Sequence, residues 1–363
     1  MDPRVRDHAE ILVDHCTSVE PSDDVLVQVP PAAEDLAVAV AEEVGEVGAN
    51  PSISLRSSRA TRAYLRASDP EDFECPDHEL AEMESADVII IVKGDRNTAT
   101  MSDVPSDALS AYTQARRPIQ EARMGKRWVG TQFPATGNAQ KAEMSTEEYE
   151  EFVYEAVNKD WAAQREHQAQ MVEILDPADE VRIVSGDSTD LRMSVAGMKT
   201  VNDDGKKNLP GGEVFTAPVP DSVEGEVLFD KPLLRHGREI QDAYLRFEAG
   251  EVVAHDASKN ADLLASILDT DEGARRLGEL GIGMNRDIDR FTYNMLFDEK
   301  MGDTVHMAVG KAIEETVPEG QPLNESSVHM DMIVDMSEDS YIEVDGEVVQ
   351  RDGTFRFEDG FEK

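Results

Sequence analysis

The chain has 363 residues, 40% of them hydrophobic, which is too long for one ordinary core and too apolar for a disordered chain. Aspartate and glutamate number 76 against 35 lysines and arginines, a formal charge of −41 that repels phosphate and argues against nucleic acid or an anionic membrane as a partner. No apolar run is long enough to span a bilayer, and the opening MDPRVRDHAEILVDH lacks the apolar region of a secretion signal, so a cytoplasmic protein is expected.

In chain order, RVRDHAEILVDHC reads as a helix, DVLVQVP as a strand, and AAEDLAVAVAEEVGEVGA as an amphipathic helix closed by glycine. PSISLRS is a second strand. ADVIIIVKGD, rich in β-branched residues, has the texture of a parallel strand buried on both faces. The helix DALSAYTQARRPIQEARMG then leads to the strand KRWVGTQFP. This alternation predicts an α/β domain with a mostly parallel sheet. No GxGxxG follows the first strand, so a dinucleotide site has no support.

Ser145 and Glu148 fit a capping box at the start of a long helix running to about residue 175. The predicted domains are therefore 1–175, ending in this connecting helix, and 176–363, an α+β, strand-rich domain. In the second, EVRIVSG and TDLRMSVAG read as a strand pair, followed by GEVFTAPV and GEVLFDKP. DAYLRFEAGEVVAHDA and YIEVDGEVVQRDGTFRF read as hairpins. A helix is predicted over NADLLASILDTDEGARRLGEL. Cys16 and Cys75 are far apart, without a CxxC, and read as ordinary thiols.

The acids are spread through well-patterned segments such as TEEYEEFVYEAV, and arginine outnumbers lysine. In this the chain resembles proteins of salt-loving archaea, where molar salt screens charge within about 3 Å. Most carboxylates are therefore expected to be solvated surface, and a single glutamate carries little information.

Two strands stand apart. In VHMDMIVDM, Val328, Met330, Met332, Val334 and Met336 share one face, and His329, Asp331, Ile333 and Asp335 the other. In TVHMAVG, Val305, Met307 and Val309 oppose Thr304, His306, Ala308 and Gly310. If the two strands pair, His306, His329 and Asp331 converge, and an inward carboxylate then requires a hydrogen-bond network or a metal. Imidazole with carboxylate suits divalent zinc, cobalt, manganese or iron. The alternative is two unrelated histidines, each hydrogen-bonded or solvated, and spacing does not decide between them. Glu213, after a Pro-Gly-Gly turn, and Glu279, among glycines, sit where backbone can approach closely, unlike the solvated acids.

The stretches GTQFPATGNAQKAEMS, GDSTDLRMSVAG, NLPGGEVFTAPVPDSVEG, LGELGIGMN, NMLFDEKMGDTVHMAVG and ESSVHMDMIVDM, in this order, resemble the aminopeptidase T and aminopeptidase S family of metallopeptidases. The resemblance covers most of the chain beyond residue 125. It implies a homodimeric, two-domain aminopeptidase that releases N-terminal amino acids from peptides with a free N-terminus. It also implies two divalent metal ions (zinc, cobalt, manganese or magnesium) held by Glu213, Glu279, His306, His329 and Asp331. Glu279 is the candidate bridge, and Glu299 or Glu279 the candidate acid–base carboxylate. Asp335 matches no motif and is expected beside the site or at a cap. One departure is Ile313, where the family usually carries a tyrosine seven residues after the first histidine.

The same scaffold resembles ring-cleaving dioxygenases acting on dihydroxypyridine. There His306, His329 and Asp331 would hold a single non-haem Fe(II). A mononuclear iron site does not require both Glu213 and Glu279, which favours the peptidase reading. A non-catalytic binding protein is the third alternative, with Ile313 as its main support.

Overall fold

The computed structural model describes residues 1–235 and 237–361. The chain forms two compact units: Met1–Lys159 with Gly205–Gly211, and Asp160–Asp204 with Gly212–Lys363.

The first unit is built on a five-stranded parallel sheet. Its order is Asn50–Leu55, Asp24–Val29, Val88–Lys93, Arg127–Gln132 and Asn208–Leu209. The central strands are runs of valine and isoleucine because helices cover both faces; Val27, Val88, Ile89 and Ile90 are fully buried. The helix Glu34–Val47 stops at Gly48, whose φ of 85° closes it in the left-handed region. The single helix expected near residues 107–125 is two, Ser106–Ala115 and Arg117–Met124, because Pro118 fits the first turn of a helix and not its interior.

Ser145 caps Thr146–Val157 as expected, its Oγ accepting from the Glu148 N–H at 3.1 Å. The long helix predicted to follow is also interrupted. It restarts at Trp161–Leu175, where Asp160 accepts from the N–H groups of Ala162 and Ala163 and caps a new helix. The sequence alone puts the domain boundary near 175, whereas the compact units divide after Lys159, so Trp161–Leu175 belongs to the second.

The second unit holds an eight-stranded and a five-stranded sheet. Both expected hairpins are present, Ala243–Glu248 with Glu251–Asp256 and Ser340–Val344 with Glu347–Arg351. One core takes Val181, Ile183, Leu191, Val227 and Phe247 from the larger sheet and Leu280, Ile282, Val305, Met307 and Met332 from the smaller. The helix predicted over residues 260–280 is corrected. It spans only Ala261–Leu268, followed by a 3₁₀ turn at Glu272–Arg275 and a strand at Leu277–Gly283. Asp271 caps the turn by accepting from the Ala274 N–H, and the glycines beyond it disfavour helix. Among the described residues no helix is long and apolar enough to cross a membrane.

Candidate metal centre

The five-stranded sheet of the second unit carries the candidate residues. Its order is His329–Asp335, Thr304–Gly310, Leu277–Gly283, Glu213–Thr216 and Val201–Asp203. Every pairing among them is antiparallel. Gly310 lies opposite His329, Ala308 opposite both Asp331 and Glu279, His306 opposite Gly281, and Gly283 opposite Glu213. Directly paired residues share a face and neighbours alternate, so Glu213, Glu279, His306, His329 and Asp331 all project from one side. Asp203 joins them by pairing with Glu213. The other side, with Leu280, Ile282, Val305, Met307, Val309, Met330 and Met332, is buried in the core. The methionine–valine alternation of VHMDMIVDM is thus the signature of a sheet with a core face and a site face.

Small residues make the room. A Cβ at Gly281 would lie within contact distance of His306 Cε1 and Nε2 and 2.9 Å from Cδ2, so only glycine lets the imidazole lie across this strand. Gly212, at φ 115°, packs against Asn285 and delivers Glu213 into the sheet. A bulge between Leu277 and Glu279 re-aims the Glu279 side chain.

The five side chains converge. His306 Nε2 is 3.1 Å from Glu213 Oε2 and 3.5 Å from Glu279 Oε1. His329 Nε2 is 3.4 Å from Glu279 Oε2 and 3.4 Å from Asp331 Oδ1. His329 Nδ1–H donates to the Lys311 carbonyl at 2.8 Å, which turns Nε2 toward the carboxylates. The ligand-capable atoms form two sets, Glu213–Glu279–His306 and Glu279–His329–Asp331, each with its atoms within 4.8 Å of one another. Glu279 belongs to both.

Glu299 follows the short helix Met295–Asp298 and accepts from Lys300 Nζ. Asp298 anchors this segment, accepting from Thr292 N–H and Oγ at 2.7 Å each. Asp335, grouped by alternation with the ligand face, pairs instead with Lys231 at 2.7 Å and accepts from the Ser337 N–H. Ile313 opens a turn in which its carbonyl accepts from Thr316 Oγ. Lys300 and Asp203 went unnoticed in the sequence. Lys300 follows directly on Phe297, Asp298 and Glu299, and a lysine there in so acidic a chain is the one signal that could have found it.

Charge explains the electrostatics. Burial raises the Glu299 carboxyl, and neighbouring Glu213 and Asp331 add to this against Lys300, pushing it up to about 7. Burial likewise raises Glu279, reinforced by Asp331 and Glu213 despite His306. At Glu213 burial is outweighed by Lys300 and His306, and at Asp331 by His329, so both lie below the usual carboxylate range. Burial opposes charge on the histidines, but Glu213 and Glu279 hold His306 well above its ordinary value, and Asp331 and Glu279 raise His329 to about 9.

These residues fit a divalent cation. Asp203, Glu213, Glu279, Glu299 and Asp331 surround Lys300 and the two histidines, so with neutral imidazoles the acids exceed the cations in a buried site. Glu213 Oε2, Glu279 Oε2 and His306 Nδ1 are buried without a hydrogen bond of normal geometry. With Nδ1–H of His329 given to the Lys311 carbonyl, the neutral ring leaves the Nε2 lone pair for a metal.

The donor set, gathered on one face of an antiparallel sheet, is of the kind that holds divalent metal ions. Comparison with known proteins places it more closely. The family profile described as thermophilic metalloprotease (M29) matches residues 1–356, and the chain belongs to this family. It is similar to aminopeptidase T of Thermus aquaticus, 39% identical over 160 residues, covering 40% of this chain and 37% of that protein. It is similar also to aminopeptidase AmpS of Bacillus subtilis, 32% identical over 266 residues and 63% of each chain. These alignments thus span less than two thirds of either relative. The structure of wild-type AmpT from Thermus thermophilus superposes with a TM-score of 0.86 at 25% identity, covering 98% of this chain and 99% of that one. A 2,5-dihydroxypyridine dioxygenase from Pseudomonas putida shares the fold at TM-score 0.64 and 14% identity over 99% of each chain.

Proposed function

We propose that this chain is a metal-dependent aminopeptidase that removes N-terminal residues from peptides at a two-metal centre. Glu213, Glu279 and His306 would hold one ion and Glu279, His329 and Asp331 the other, with Glu279 as the bridge. The observation that carries this reading is the division of Glu279, whose two oxygens face two different histidines. When bound, divalent ions supply Lewis acidity, lowering the pKa of water and polarising a carbonyl.

The chain's own groups supply the rest. Glu299, whose carboxyl burial raises to about 7, lies beside Lys300 among the carboxylates of the site. It is therefore suited to accept a proton from attacking water and return it to the leaving amine. The surplus of buried carboxylate attracts the positive α-amine of a peptide, which favours a free N-terminus. With Ile313 in place of a tyrosine, that position offers no hydroxyl to donate to a developing oxyanion. The same reading has the chain working as a cytoplasmic homodimer, and light scattering after size-exclusion chromatography tests its oligomeric part.

The dioxygenase reading rests on His306, His329 and Asp331 alone. It leaves Glu213 and Glu279 buried beside His306 without a task, and at 14% identity the likeness speaks to scaffold only. Hydrolysis of leucine p-nitroanilide in high salt, lost on chelation and restored by divalent metal, supports the peptidase. Ferrous iron with ring cleavage of a dihydroxypyridine, and no hydrolysis, would contradict it.

A further inference from the structure

We infer that Lys300 is a positioning residue whose ammonium fixes Oε1 of Glu213, leaving Oε2 turned to His306, and so sets the geometry of one half of the metal centre. The inference rests on reading this cluster as a two-ion site.

Lys300 is 0% exposed, an unusual position for the most strongly hydrated of side chains. Its Nζ lies 3.1 Å from Glu213 Oε1 and 3.8 Å from Asp203 Oδ2, and it donates to Glu299 Oε1. An ammonium has three donor hydrogens and accepts nothing; Glu213 and Glu299 accept from it, and Asp203 at 3.8 Å adds charge without a hydrogen bond. The backbone that carries it is fixed as well. The Lys300 N–H donates to the Phe297 carbonyl at 2.9 Å, and its carbonyl accepts from the Asn285 N–H at 3.0 Å. Glu213 is therefore divided between a permanent cation on Oε1 and the His306 side on Oε2, 3.1 Å from Nε2.

Two effects on a bound ion oppose each other. The ammonium repels a second cation, and it holds a ligand oxygen in place. The repulsion is reduced because the lysine charge is shared among Glu213, Glu299 and Asp203. Anchoring is not shared, because Lys300 meets Glu213 at Oε1 while His306 meets it at Oε2. Positioning therefore prevails, in the way that outer-shell partners tune metal affinity by about 10–100-fold.

The test is titration of chelator-treated full-length protein with Co²⁺, following its visible absorption and stoichiometry. The proteins compared are wild type, K300M, and K300M/E299Q, which removes one acid along with the cation and relieves the buried charge if K300M does not fold. Wild type should bind two Co²⁺. The variants should keep one at near-native affinity and bind the other at least about tenfold more weakly, with an altered spectrum. A purely structural lysine would lower the unfolding midpoint and leave the Co²⁺ affinities and spectrum of the folded protein unchanged. That result, or tighter binding, overturns the role of Lys300 and leaves the metal site standing. Wild type that binds no Co²⁺ overturns the site reading, and the role of Lys300 with it.

Discussion

Gly281→Ala perturbs the centre without touching a charged group. Gly281 lies opposite His306, and an added Cβ would overlap His306 Cε1 and Nε2 and stand 2.9 Å from Cδ2. Carbon atoms rest at about 3.5–4.0 Å, so the ring must retreat by roughly 1.5 Å or more. The backbone there is ordinary strand, which alanine adopts without strain, so the cost falls on the imidazole and its 3.1 Å approach to Glu213. Overpacking of this kind costs about 1–3 kcal/mol of stability. A displacement of about 1 Å in a catalytic constellation costs on the order of 100-fold in rate. The assay is kcat/KM on leucine p-nitroanilide, with bound metal and the urea-unfolding midpoint measured on the same preparation. A fall of at least about 100-fold in a folded protein is expected. Native activity and metal content in G281A would refute the argument that His306 is held by this glycine.

Three further predictions follow from the same geometry. Glu279→Gln keeps the shape but replaces one ligand oxygen with an amide, so the protein should fold normally, lose at least one ion by elemental analysis and fall more than about 1,000-fold in activity. Gln168→Leu removes donors to the carbonyls of Glu213 (2.9 Å) and Asp203 (3.1 Å). It should cost about 1–3 kcal/mol in urea unfolding, since hydrogen bonds to buried carbonyls are lost while the Asp203 carbonyl keeps the Gly212 N–H at 2.8 Å. His8, fully buried with Nε2 2.8 Å from Thr131 Oγ, is driven by burial down to about 3. The unfolded chain then binds the extra proton first, so His8 subtracts stability as pH falls below about 6.5, by up to about 1.4 kcal/mol per unit until about pH 3. His8→Gln should flatten the change in stability between pH 7.5 and 5.5 by roughly that amount, and an unchanged slope would contradict the assignment.

Much of the first unit was legible because local pattern and tertiary role agree. Runs such as VIIIV are buried on both faces, and a strand needs no distant partner to declare itself. The site strands were legible for a related reason: alternation of Met and Val with His and Asp records which face meets the core. Their register was not, because it depends on the bulge at Glu279 and on pairing between segments about seventy residues apart in the case of Glu213 and Gly283. The helix expected to run to Leu280 failed where its apolar pattern continued into a strand buried on both faces, which has no period of its own. Asp335 shares a face with His329, yet Lys231, from a remote segment, claims it. Lys300 and Asp203 escaped notice for the same reason, since their partners lie on other strands.

The central claim is that Glu213, Glu279, His306, His329 and Asp331 hold two divalent ions. The most direct measurement is metal content per chain by elemental analysis after equilibration with divalent metal and dialysis in high salt, read against leucine release. Two ions per chain, both required for hydrolysis, are predicted. One iron per chain, or none, with no peptidase activity would contradict it.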